Sequence, residues 1–282
     1  MVFKMKKLSF AACLLMFLTA AFCAQTDDQV KKVELSPAEV QRIIKGFSDR
    51  ESIFRHALNN YSFKRDALVQ TIGFGAGQIT GEYHRNSMFT FDDSGKKYEK
   101  ILFFPMPTLT EISITPADLE DLGGVNPFAL EPEKLPSYNI TFVGKQRIDE
   151  LDLFVFDIAP KVLPDVKSGI RLFQGRIWVD DQDLQIVKSK GKGLPEDKNN
   201  KYPVVETWRE NIGGKYWFPT FVTSNDEINF DNGRTVRMRI RVRYTDYKEA
   251  SATVRVLDDE EPVDNPKPGA SPAPTPKPVK KP

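Results

Sequence analysis

Two cysteines, two histidines and three tryptophans are all that 282 residues contain of those types. Cys13 and Cys23 both fall within the first 23 residues, so the remainder has no thiol for a disulfide, a nucleophile or a sulfur-rich metal site. His56 and His84 are too few for a multi-histidine centre, and no G-x-S-x-G or comparable nucleophile motif accompanies either. An excess of charge of either sign is missing too. The 40 basic and 39 acidic residues leave +1, and removal of Lys4, Lys6 and Lys7 turns the balance slightly negative. Such a chain lacks the positive field that phosphate backbones call for, which argues against nucleic acid as a ligand. No apolar run reaches the ~18 residues of a membrane helix. No metal and no cofactor are expected, and a binding protein is expected over an enzyme.

What is present begins with an export signal. Lys4, Lys6 and Lys7 precede an apolar stretch from Leu8 to Phe22, followed by Cys23, Ala24 and polar Gln25 and Thr26. That layout predicts a secretory signal peptide over residues 1–23 and an exported, periplasmic protein. Cys23 is either removed by cleavage or acylated, and the bulk of Phe22 before it speaks against acylation. At the other end, residues 258–282 open with the acidic run Asp258 to Glu261 and continue as a tract of Pro and Lys without apolar period, which predicts a disordered tail. Residues 24–35 are expected to be a linker and 36–257 the folded domain.

Within that domain Ser36-Pro37-Ala38-Glu39 supplies an N-cap, a proline for the first helical position and the partner of a capping box. Val40, Phe47, Phe54 and Tyr61 then recur every seven residues, which predicts one amphipathic helix running to about Asn60. From Tyr61 the period changes to two. Ten strands are predicted, over Tyr61–Gly73, Gln78–Phe91, Lys97–Phe104, Tyr138–Arg147, Leu151–Ala159, Ile170–Val179, Leu184–Lys190, Val204–Ile212, Tyr216–Asn225 and Val236–Tyr247. Short Asp- and Gly-rich connections make the sheet antiparallel. A second short helix is predicted from Thr115 to Leu122, capped by Thr115 and stopped by Gly123. Ten strands without alternating helices exclude a doubly wound fold and predict an α+β fold: a large curved antiparallel sheet wrapped around the N-terminal helix.

Several constellations mimic functional motifs. Gly73, Gly75, Gly77 and Gly81 have neither phosphate-loop spacing nor a following helix, so a glycine-rich hairpin or bulge is expected. Asp180, Asp181 and Asp183 lack the glycine and distal glutamate of a calcium loop and are expected to form a turn. Glu206 and Glu210 share a strand but nothing places a substrate between them. The row Arg237, Arg239, Arg241 and Arg243 alternates with Val236, Met238, Ile240 and Val242, as the wet face of an amphipathic strand does.

Gly175-Arg176-Ile177-Trp178-Val179-Asp180, followed by Leu184-Gln185-Ile186-Val187-Lys188, resembles the hairpin of the LolA-like family, the outer-membrane lipoprotein-sorting proteins. The order of capped helix, Tyr61-Ser62-Phe63, Gly81-Glu82-Tyr83, Phe89-Thr90-Phe91-Asp92, Val155-Phe156-Asp157 and Tyr216-Trp217-Phe218-Pro219 is similar to that family over roughly Ser36 to Tyr247. The resemblance implies an unclosed barrel with helices over its mouth that shelters the acyl chains of a lipid or lipoprotein, with transient membrane contact and an envelope protein as further partners. Sensor domains of the RseB type share the fold, which keeps a periplasmic sensor that binds a protein partner as the alternative. For the carrier, the candidate ligand-binding residues are Phe47 and Phe54 of the first helix, Leu119 and Leu122 of a lid helix, and Met238 and Ile240 of the last strand. The same apolar residues would otherwise form an ordinary filled core.

Overall fold

The computed structural model describes residues 29–92, 94–115, 118, 129–198 and 200–250. The stretches expected as export signal (1–23) and tail (258–282) lie outside them. Helix α1 spans Pro37–Asn59 and starts as its sequence dictates: Ser36 Oγ accepts from the Glu39 N–H, and the Glu39 carboxylate accepts from the Ser36 N–H at 3.0 Å. Those bonds hold the Glu39 carboxyl below its ordinary range. Ile43, Ile44, Phe47, Phe54 and Leu58 form the buried stripe. Gly46 lies against Leu184, where a Cβ would stand 2.4 Å from Leu184 Cδ1, so the glycine admits a close approach.

Ten strands follow: β1 (Tyr61–Ile72), β2 (Ile79–Phe91), β3 (Lys97–Phe103), β4 (Tyr138–Ile148), β5 (Leu151–Pro160), β6 (Leu172–Asp180), β7 (Ile186–Leu194), β8 (Val205–Ile212), β9 (Tyr216–Asn229) and β10 (Thr235–Glu249). They form one sheet in the order β3-β2-β1-β10-β9-β8-β7-β6-β5-β4, with every pair antiparallel. β3 and β4 end the sheet without pairing, so the barrel is not closed. This is the expected α+β architecture. In the three-residue β8–β9 connection Gly213 and Gly214 both take positive φ, 63° and 73°, and the Lys215 N–H donates to the Ile212 carbonyl to close the turn. The Asp180 carboxylate accepts from the N–H groups of Gln182 and Asp183, which makes that acidic cluster a turn.

Antiparallel order separates the connections into two ends. The β2–β3, β4–β5, β6–β7 and β8–β9 turns share one end, and the β1–β2, β5–β6, β7–β8 and β9–β10 connections share the other. α1 is fastened toward the first: Arg50 donates to the Asp183 carbonyl, the Lys97 ammonium donates to the Leu58 carbonyl at 2.7 Å, and Phe54 packs on Phe218. Two differences from the sequence expectation have local causes. β6 begins at Leu172 rather than Ile170, because Asp165 caps a 3₁₀ turn over Val166–Ser168 that Gly169 ends at φ 68°. Part of the expected linker is also bound to the sheet: Lys31 and Lys145 exchange two backbone hydrogen bonds along edge strand β4, and Val30 packs beside Leu153, Val155 and Trp178.

Candidate functional site

At the end of the barrel away from those turns, the inner face of the sheet encloses a cavity of about 570 Å³. That size lies within the ~300–1,000 Å³ usual for small-molecule sites. Its walls come from three sources. Met238 and Ile240 of β10, Ile228 of β9 and Val205 of β8 line it from the sheet, and Phe230 lines it from the β9–β10 connection. Leu109, Ile112 and Ile114 line it from a strap that follows β3.

The strap is held by sequence-specific contacts. Thr108 donates its N–H to the Glu82 carbonyl and accepts the Glu82 N–H at its hydroxyl, both at 2.9 Å. It crosses β2 at Gly81, where a Cβ would meet the Thr108 carbonyl oxygen at 2.8 Å and Leu109 Cα at 2.9 Å. At its far end Thr115 and Asp118 cap each other: Thr115 Oγ1 accepts from the Asp118 N–H, and the Asp118 carboxylate accepts from the Thr115 N–H and hydroxyl. That is the start expected of the second helix, and Thr115 and Asp118 both line the cavity.

Polar groups ring the apolar walls. Lys192 pairs with Glu196 at 3.0 Å and Lys201 with Asp231 at 2.8 Å, and the Asp231 hydrogen bond raises the Lys201 ammonium above its ordinary range. Arg171 reaches Asp118 at 3.7 Å and lies over the Tyr202 ring, and Arg234 lies over Phe230. Burial pushes the Tyr202 hydroxyl up. Nearer α1, a void of about 20 Å³, the space of one water, is bounded by Glu51, Arg209, Thr207 and Ser189, with Val205 shared by both spaces. The bidentate Glu51–Arg209 ion pair lines this void beside Leu130, Phe173, Ile177 and Ile186 of the core.

The structure does not gather the six sequence-derived candidates in one place. Met238 and Ile240 line the cavity. Phe54 is buried between Phe218 and the Arg209 guanidinium in the same cluster as Met238 and Ile240, without lining the cavity, whereas Phe47 is fully buried against Phe156 in a separate cluster. Leu119 and Leu122 lie outside the described residues. The strap residues went unnoticed in the sequence because Leu109, Ile112 and Ile114 keep neither a helical nor a sustained strand period. Their one signal is an apolar stretch that leads straight into the Thr115 cap. A second hollow of about 450 Å³ lies on the outer face, between Trp208, Trp217, Leu151, Leu153 and Phe221.

No family model and no curated protein matches the chain. Among solved structures, the chain is similar to a DUF1329 family protein from Desulfovibrio piger, at 12% identity and a TM-score of 0.37, over 74% of this chain and 94% of that one. A protein described as an outer membrane lipoprotein-sorting domain, from Vibrio parahaemolyticus, matches the same share of each chain at 13% identity and a TM-score of 0.36. MucB matches at 10% identity and a TM-score of 0.25, over 74% of this chain and 92% of its own.

Proposed function

We propose that this is an exported, non-enzymatic carrier that shelters the acyl chain of a lipid or lipoprotein in the cavity at the open end of the barrel. The observation that supports the reading is a space of about 570 Å³ walled by Leu109, Ile112, Ile114, Val205, Ile228, Phe230, Met238 and Ile240. Burial of about ten methylenes at ~0.8 kcal/mol each gives ~8 kcal/mol, a micromolar-scale affinity before ordering costs. That strength suits a carrier that must also release its cargo. Leu119 and Leu122, which follow the cavity-lining Asp118 in sequence, are proposed as its lid.

The test uses the chain from Ala24 and a fluorescent fatty acid. Uptake by the wild type, displaced by unlabelled lipid, is expected. Met238→Trp should block uptake by filling the space, and Leu122→Asp should weaken it by charging the lid, each with the melting transition largely retained. Phe47→Ala should instead destabilise the fold by about 3–5 kcal/mol, as truncation of a packed core ring does. A wild-type chain that ignores the probe, or Met238→Trp that binds it as well as the wild type does, sinks the carrier reading and favours a sensor that binds a protein partner.

A further inference from the structure

The cavity end of the barrel also carries large apolar side chains that stand in water. Val162 is 78% exposed, Leu163 54% and Ile170 57%, with Val166 exposed beside them, all in the β5–β6 connection. Phe74 of the β1–β2 connection and Met106 of the strap are exposed at the same end. Single apolar residues on a surface need no explanation, but four in one connection beside a cavity mouth do.

Lack of order does not account for their exposure, since the connection braces itself. The Asp165 carboxylate accepts from the Lys167 N–H at 2.8 Å, the Ser168 hydroxyl donates to the Asp165 carbonyl at 2.6 Å, and the Ile170 N–H donates to the Ser168 hydroxyl at 3.2 Å. These backbone groups are satisfied internally while the apolar side chains stand exposed. Lys161 and Lys167 flank them, and the acid between, Asp165, is used as the cap. At the end of the connection Arg171 touches Asp118 and Tyr202, both of which line the cavity. Arg171, the neighbour of Ile170, thus ties the end of the connection to the cavity lining.

We infer that this connection docks the protein on an anionic lipid bilayer, with Val162, Leu163, Val166 and Ile170 entering the boundary between headgroups and acyl chains and Lys161 and Lys167 facing lipid phosphates. Apolar side chains rimmed by lysine match that boundary, where buried apolar area and attraction to anionic lipid act together. A protein interface would instead be depleted of lysine about its centre. Docked in this way, the cavity mouth lies beside the membrane, and an acyl chain can pass between the two with little exposure to water. That consequence rests on the carrier reading; the docking itself does not.

Flotation of the chain from Ala24 with vesicles of phosphatidylglycerol and phosphatidylcholine in equal parts tests the inference. The wild type should float with the vesicles, and Val162→Asp/Leu163→Asp should weaken binding by more than ~10-fold while the melting transition and fatty-acid uptake stay unchanged. Lys161→Glu/Lys167→Glu should weaken binding to these vesicles but not to pure phosphatidylcholine. Met238→Trp should lose fatty-acid uptake and keep vesicle binding, which separates failure of the carrier reading from failure of docking. A wild type that does not float, or an aspartate pair that floats as well as the wild type does, overturns the proposal and leaves the connection to a protein partner.

Discussion

Glu51→Ala should be among the most damaging single substitutions in this protein. Glu51 sits on α1 and Arg209 on β8, with side chains 2% and 8% exposed, and the carboxylate takes both terminal guanidinium nitrogens. Arg209 also lies 4.3 Å above the centre of the Phe54 ring and donates to the Ile186 carbonyl. Truncation of the acid leaves a guanidinium that cannot deprotonate, packed among aromatic and aliphatic groups. An uncompensated buried charge of this kind costs about 3–5 kcal/mol. For a domain of this size each kcal/mol moves the melting temperature by about 2–4 °C, so a fall of roughly 6–20 °C is expected. Removal of both charges in Glu51→Leu/Arg209→Met should restore most of the loss, because the pair itself contributes little beyond its own desolvation. Urea unfolding followed by tryptophan fluorescence, run on both singles and the double, gives a coupling energy that should exceed ~2 kcal/mol. If Glu51→Ala costs less than ~1 kcal/mol, water reaches the pair and the reasoning fails.

Two further perturbations test the packing and the electrostatics. Gly191→Ala should cost about 1–3 kcal/mol, since a Cβ there would stand 2.3 Å from the Gln174 carbonyl oxygen and 2.5 Å from the Phe173 ring; thermal melting checks this, and a neutral result would show that β6 and β7 can separate locally. Lys97, which donates to the Leu58 carbonyl and lies over the Phe63 ring, is pushed down to about 8 by burial. Because its folded pKa lies below the unfolded one, the unfolded chain binds the extra proton between about pH 8 and 10.5, and stability should rise across that window. With solvent screening allowed for, the gain is about 1–2 kcal/mol, and Lys97→Met should flatten it in denaturant titrations at pH 7.5 and 10.

The fold was legible because local signals agreed with one another. The Ser36 box, the switch from a helical period to a period of two at Tyr61, and the Asp- and Gly-rich turns each fix one element, and the observed strands fall within a few residues of the expected ones. The site was only half legible, and β10 shows why. Its inward residues alternate without interruption from Val236 to Tyr244. All of Met238, Ile240, Val242 and Tyr244 belong to one buried cluster with Ala67 and Phe63, yet of these four Met238 and Ile240 also line the cavity. Period two reports which face a residue takes; it carries no record of whether another side chain or empty space stands opposite. That depends on where α1 ends, which is a long-range fact. Phe47 and Phe54 illustrate the converse, since an apolar helical stripe looks the same whether it fills a core or faces a ligand.

The cavity itself follows from a mismatch of lengths. β9 and β10 are 14 and 15 residues long, so at ~3.3 Å per residue they extend for nearly 50 Å, whereas α1, at 23 residues and ~1.5 Å each, spans about 35 Å. One helix fastened toward the turn end by Arg50, Leu58 and Phe54 cannot also cover the inner face at the opposite end. Something else must cover it, and the chain uses the strap from Leu109 to Ile114, a single layer held to β2 by Thr108 and Gly81. A single irregular layer has fewer buried contacts than a helix, and segments of that kind open at lower free energy than the elements beneath them. The apolar space is therefore walled on one side by paired strands and on the other by a cover that is cheaper to open.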